Sequence, residues 1–248
     1  MASYTSKHDC SPSEYVLQEL TSTIAESARQ AAPLIEKIRQ MVPFDEHLVS
    51  GLDIVGCEVG CGIYLSTSLP KDFTELYTRE RYFEQDPLFK APNLDASLGA
   101  SLCDWHSLSA DTIDKAPELG GALQQYKIAP RSGVLLWNAD RLYGAALFTR
   151  EAPFTADEMA LLQWLGASLH TTLAAPVVAE YRLRFKLTKS EIACLQWASK
   201  GFTSEEIAGL TEYTVETVNF YLKSVVKKMK VHNRSAAIAE ALRLGLIH

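Results

Sequence analysis

The sequence lacks most of what a membrane protein, a disulfide scaffold or a catalyst needs. Its longest uncharged stretch, Met159 to Ala179, is interrupted by Gln163, Ser168, His170, Thr171, Thr172 and Pro176, too much polarity for a membrane span. The N-terminus has no apolar stretch of the signal-peptide kind. Cysteines are few, odd in number and scattered (Cys10, Cys57, Cys61, Cys103, Cys194). The Cys57/Cys61 pair has no second Cys or His pair at zinc-site spacing, so buried, reduced thiols in a cytoplasmic protein are expected. The histidines (His8, His47, His106, His170, His232, His248) are equally scattered, and no HExxH, GxSxG or phosphate-binding glycine loop occurs. With no nucleophile–base constellation, no metal site and no cofactor motif, an enzyme is not expected. Internal repeats and low-complexity tracts are also missing.

What is present is the composition of an ordinary globular chain, 47% hydrophobic and 22% charged over 248 residues, enough for a core domain with a small appendage. The net charge of −6 argues against nucleic-acid binding, but the average conceals a split. From Tyr181 onward eleven Lys and Arg face six Asp and Glu, near +5, which leaves the remainder near −11. A basic module on an acidic body is the expected electrostatic shape of a DNA-binding head on a body that does not touch DNA.

Hydrophobic spacing divides the acidic part into helices and strands. Leu17, Leu20, Ile24 and Ala28 share one face of a helix over about Ser13 to Gln40, in which Pro33 suits the first turn of a second helix carrying Leu34, Ile35, Ile38 and Met41. Short apolar groups between His47 and Leu65 (Leu48-Val49, Ile54-Val55, Ile63-Tyr64-Leu65), separated by glycines, predict two strands and a tight connection. Gly133–Trp137 and Leu142–Thr149 predict a second pair joined by Asn138-Ala139-Asp140. Thr155 and Glu158 form a capping box that opens a long helix to Leu173. That helix is apolar on more than one side, so it needs a sheet on one face and a second subunit on the other. The expected arrangement is α+β: residues 1–173 an α/β/α sandwich with a central antiparallel sheet, 174–182 a linker around Pro176, and 183–248 an all-α unit of four helices. Short antiparallel strand pairs argue against the parallel sheet of a phosphorylated response regulator.

The basic module is the most informative region. Thr188/Glu191 and Thr203/Glu206 make two further capping boxes, and Gly201 ends the first of these helices. A short helix from Glu205 to Leu210, a turn, and a longer helix from Thr214 to about Lys230 form a helix-turn-helix, whose second helix enters the major groove. Val218, Leu222, Val225 and Met229 make its inner stripe. Glu216, Asn219, Lys223 and Lys227 make its outer stripe, with Asn219 and Lys223 one turn apart. Lys227, Lys228 and Lys230 add charge suited to phosphates. A last helix, Ser235 to Leu244, ends at Gly245.

In residue order the segment from Leu187 to Ile247 strongly resembles the DNA-binding domain of the LuxR family. Glu191, Leu195, Gly201, Glu206-Ile207-Ala208, Thr217-Val218-Asn219 and Gly245-Leu246-Ile247 carry the likeness. Glu212 departs from it, standing in the turn where the family usually has Gly. The resemblance implies a DNA interface of Thr214, Thr217, Asn219, Lys223 and Lys227, and a homodimer on a pseudo-palindromic site of double-stranded DNA, with no membrane partner.

The segment from Pro70 to Phe89 resembles the autoinducer-binding domain of quorum-sensing LuxR proteins through Tyr77, Asp86 and Pro87, with Trp105 and Gly133 at two further signature positions and Thr149 where the family often has Ser or Thr. The resemblance implies a small-molecule effector, an N-acyl homoserine lactone or analogue, with Asp86 accepting from its amide N–H, Tyr77 or Thr149 donating to a carbonyl, and Phe73 and Trp105 walling the ring. Phe73 stands where the family has Trp, and Leu69 where some members have Tyr. The head-group end of the pocket is therefore expected to be less polar, fitting an altered lactone or a head without that acceptor. A regulator that dimerises and binds DNA with no ligand is the alternative.

Overall fold

The computed structural model describes residues 14–54, 56–90, 99–139 and 141–248. The chain forms two compact units, Met1–Val177 and Val178–His248.

The first unit opens with α1 (Glu14–Met41). The two helices expected here are one helix with Pro33 inside it. A proline in a helix interior costs about 3 kcal/mol, and burial of Ala31, Ile35, Ile38 and Val42 on both sides of it offsets that cost. Ser13 and the side chain of Leu17 lie outside the described residues.

A five-stranded sheet follows in the order β2-β1-β5-β4-β3, from β1 (His47–Ser50), β2 (Tyr64–Thr67), β3 (Ala100–Asp104), β4 (Arg131–Asn138) and β5 (Arg141–Thr149). All its pairings are antiparallel. The β4–β5 hairpin forms as expected, with Asn138 opposite Arg141; Asp140 lies outside the described residues. Connection of β1 to β2 is not tight but runs from Gly51 to Ile63. Arg141 at the start of β5 clamps this loop by pairing with Asp53 and with Glu58, the latter at 2.7 Å. Val55 of that loop lies outside the described residues.

The sheet separates two layers. On one face stands α5 (Ala156–Leu183), whose Gly166 comes so close that an added Cβ would sit 2.9 Å from Val134 and 3.3 Å from Ala146. α1 lies against α5, and Ser27 Oγ donates to the Leu173 carbonyl at 2.9 Å. On the other face, Cys103, Leu135, Ala145 and Leu147 pack with Val59 and Leu88. Beyond them lie α2 (Lys71–Arg79) and α4 (Pro117–Gln125), which join through Phe73, Tyr77, Leu119 and Ala122; a one-turn helix, α3 (Ala110–Ile113), precedes α4. The Thr155/Glu158 box closes as expected, Thr155 N–H donating to Glu158 at 2.7 Å. The helix it opens passes Leu173 and runs to Leu183, so the 174–182 segment expected as a linker is helical, and the division between the units falls inside it. Pro176 costs the helix one N–H bond and a clash with one carbonyl, and burial of Leu173 and Val177 on either side of it offsets that cost.

The second unit holds α6 (Lys189–Ser199), α7 (Ser204–Leu210), α8 (Val215–Lys228) and α9 (Arg234–Arg243). Both capping boxes form, and Thr214 caps α8 by accepting from the Thr217 N–H at 3.2 Å. Gly201 takes the left-handed conformation (φ +92°) that ends α6. Glu212 is not among the residues with positive φ, so the turn between α7 and α8 does not need the glycine that the family usually places there.

Candidate ligand site and nucleic-acid interface

In the first unit, α2 brings Phe73 and Tyr77 to the inner face and the turn after it brings Asp86. Asp86 is fully buried. Its Oδ2 accepts from the Tyr77 hydroxyl at 2.7 Å and from Arg131 Nη1 at 2.8 Å, and its Oδ1 accepts from the Leu88 N–H at 3.1 Å. A carboxylate offers about four lone-pair directions, so three partners leave one free. Burial, and then the neighbouring Asp86 charge, hold the Tyr77 hydroxyl protonated well above its usual range. Burial works against the Arg131 charge, but Asp86 outweighs it and raises the guanidinium pKa.

Arg131 is the residue that sequence reasoning missed. It is 2% exposed, lies 45 positions from Asp86, and carries the Trp105 ring over its guanidinium at 5.0 Å. One signal was available: Arg131 is the only charge at the head of the apolar run from Arg131 to Trp137, and it shares strand parity with Gly133 and Leu135. Gly133 has its own reason. A Cβ there would lie 2.1 Å from the Ala146 carbonyl of the neighbouring strand.

Of these side chains Phe73, Tyr77 and Arg131 line a cavity of about 20 Å³, together with Leu48, Leu69 and Leu147 among others. The structure thus gathers four of the five expected ligand residues, Phe73, Tyr77, Asp86 and Trp105, around Arg131. Thr149 stands apart: its hydroxyl accepts from the Glu46 N–H at 2.9 Å and joins the β5 end to the segment before β1. Beside Phe73 and Leu69, whose side chains offer no polar group, β4 adds the Arg131 guanidinium to the cavity lining. Among the described residues no group of His, Cys, Asp and Glu could hold a metal ion. Burial drives the Cys103 thiol up to about 12, so it is inert. No helix among the described residues is long and apolar enough to cross a membrane.

In the second unit the inner stripe is as expected: Val218 and Val225 are fully buried, Leu222 and Met229 nearly so. Thr214, Glu216, Asn219, Lys223 and Lys227 are exposed, and Thr217 is half-buried. Asn219 and Lys223 border a groove with Val226, Asn233 and Arg234. Two details refine the expected interface. Asn219 Oδ1 accepts from Ser204 Oγ at 2.7 Å, which turns its amide N–H groups outward and ties α8 to the start of α7. Lys228 does not extend the outward charge; its ammonium donates to Glu191 at 2.7 Å and to the Lys186 carbonyl at 3.0 Å. Glu191 also accepts from Ser224 at 2.6 Å and from the Thr188 N–H at 2.7 Å, so one nearly buried carboxylate joins α6, α8 and the preceding loop. Phe220, 67% exposed on α8, is an apolar group on the outer face that the charge pattern did not single out.

The chain is similar to several known proteins. Residues 186–241 match the family described as bacterial regulatory proteins, luxR family. The quorum sensing-dependent transcriptional regulator RpaR of Rhodopseudomonas palustris is 25% identical over 88% of this chain and 90% of its own. VjbR of Brucella abortus, also named a quorum sensing-dependent transcriptional regulator, is 29% identical over 73% of this chain and 72% of its own. Among solved structures, Escherichia coli SdiA has the same fold, with a TM-score of 0.56, 22% identity, and coverage of 94% of this chain and 96% of that one. Residues 186–241 are thus similar to the luxR family of bacterial regulatory proteins, and the chain as a whole is similar to proteins named quorum sensing-dependent transcriptional regulators.

Proposed function

We propose that this protein is a cytoplasmic, homodimeric transcription regulator whose binding to a pseudo-palindromic operator is controlled by a small acyl ligand, an N-acyl homoserine lactone or a close analogue, held in the first unit. One observation carries the ligand half: a buried Tyr77–Asp86–Arg131 cluster beside an apolar cavity. A few convergent polar groups in an apolar hollow are the usual form of a small-molecule site. In this reading Asp86 offers its remaining lone pair to an amide N–H, and Phe73 and Trp105 wall the ring. The cavity is smaller than the roughly 300 Å³ of ordinary ligand pockets, so ligand entry must spread Leu69, Phe73 and Leu147. The solved complex of SdiA with octanoyl-rac-glycerol supports an acyl ligand in this fold.

The DNA half rests on α8. Thr214 and Thr217 sit at its N-terminal end, where the helix approaches the backbone, and Asn219, Lys223 and Lys227 face outward for base edges and phosphates. A homodimer supplies two such helices. Trp164, 80% exposed on α5 beside Leu161, gives the first unit an apolar patch for its partner.

Titration of the purified protein with N-acyl homoserine lactones of four to twelve carbons, followed by thermal melting, tests the reading. A bound ligand raises the midpoint in proportion to ln(1 + [L]/Kd). A midpoint that none of them moves contradicts it. The second reading, a regulator that needs no ligand, is favoured by the three partners that already hold Asp86 from within the protein. It predicts sequence-specific DNA binding by protein that was never exposed to an acyl lactone.

A further inference from the structure

A guanidinium carries five N–H donors in one plane. In Arg131 the Nη1 group serves Asp86 at 2.8 Å. Nε and Nη2 are buried and have no hydrogen-bond partner among the described residues. These two nitrogens share one edge of the plane, the edge that grips a pair of oxygens in a fork. Buried donors are rarely left unsatisfied, because each costs the full price of its lost hydration. Arg131 lines the cavity together with Leu69, Phe73 and Tyr77, and Trp105 covers its face.

We propose that Arg131 is the specificity-determining residue for the ligand head, its Nε–H and Nη2–H edge donating to the carbonyl-type oxygens of a neutral lactone or ester. The assignment rests on the reading that the cavity takes a small acyl ligand. Phe73 has no donor to offer, and the head is recognised from β4 instead of α2. Neutrality follows from the charges. Asp86 and Arg131 already cancel, and the other polar lining residues, Ser50, Tyr64, Thr74 and Tyr77, are uncharged hydroxyls. A carboxylate head would leave a second negative charge beside Asp86 in a water-poor site, where desolvation outweighs attraction.

Calorimetric titration of the full chain with three probes sharing an octanoyl tail tests this. They are N-octanoyl-homoserine lactone, the amide of 3-aminotetrahydrofuran (the same ring without its carbonyl), and the ring-opened carboxylate. Loss of the ring carbonyl should weaken binding about 10- to 100-fold, and ring opening at least about tenfold. Arg131→Lys keeps the charge beside Asp86 but lacks the fork; it should bind lactone and carbonyl-free amide within about threefold of each other. Should that variant fail to fold, the Nε–H resonance of Arg131 in a nitrogen-15 spectrum gives the same answer: it should shift with the lactone and not with the carbonyl-free amide. Equal affinity of the wild-type protein for those two probes overturns the role of Arg131 and leaves the sensor reading standing. Tighter binding of the ring-opened acid overturns the neutral head. No binding of any lactone from four to twelve carbons overturns the sensor reading and this inference with it.

Discussion

The two units place their polar residues in opposite ways. In the second unit the chemistry is local and faces outward: Asn219, Lys223 and Lys227 lie within nine positions of one another on one helix, exposed. In the first unit it is distant and buried: Asp86 meets Tyr77 from nine positions away and Arg131 from 45, all at 8% exposure or less. A surface built by helical spacing changes little in stability when one side chain is lost. A buried cluster of mutual partners leaves an orphan when any member is removed. Substitutions should therefore separate the units, stability responding in the first and DNA affinity in the second.

The largest effect is expected at Asp86. Asp86→Ala leaves the Arg131 charge buried without a counter-charge, at a cost of about 3–5 kcal/mol. Thermal melting should show the midpoint fall by at least about 6 °C. A loss below about 1 kcal/mol would mean that the cluster is wetter or looser than its geometry implies.

Acid should act on the same unit. Burial, aided by nearby Arg39, lowers the His47 pKa to about 4, and its ring nitrogens meet Ser66 at 2.9 Å and Ser68 at 3.2 Å. The unfolded chain takes up this proton near pH 6.5, the folded chain only near 4. Stability from this group is thus complete above about pH 6.5, declines as pH falls toward about 4, and is level below. The total is at most about 3 kcal/mol. Denaturant unfolding between about pH 7 and 4 should show the decline, smaller in His47→Gln. A remainder belongs to His170, also lowered by burial. An unchanged slope in His47→Gln would show that His47 is not the group responsible.

On the other side of the contrast, Lys223→Ala should weaken binding to a duplex selected by the protein by about 1–3 kcal/mol while the melting midpoint stays put. Equal weakening on all duplexes would make Lys223 a phosphate contact. The smallest effect is expected at Thr203→Ala. It removes one cap of α7 and should cost about 1 kcal/mol, read as a lower midpoint with little change in DNA affinity per folded molecule.

Legibility in the sequence follows the same division. The three capping boxes, the Gly201 stop and the inner stripe of α8 are local patterns, and each stands where the spacing put it. The antiparallel sheet was legible from its short apolar strands. What failed was long-range or depended on competition. Pro33 and Pro176 read as breaks, yet burial carries the helices through both. Lys228 read as a free charge, yet Glu191, 37 positions earlier, holds it. Arg131 left one weak signal, a lone charge at the head of an apolar strand, and its meaning comes only from Asp86, which tertiary folding brings to it. Thr149 lies apart from the Asp86 cluster, its hydroxyl accepting from the Glu46 N–H, an arrangement set by the pairing of distant segments that strand position alone does not reveal.

The most direct test is selection of duplexes from a random pool by the full chain, with and without N-acyl homoserine lactones of four to twelve carbons, followed by affinity measurements across salt concentrations. Enriched sites should carry two inverted half-sites about one helical turn apart, and log affinity should fall linearly with log salt. No enriched sequence, with weak binding indifferent to salt, would contradict the placement of α8 on DNA and the regulator built upon it.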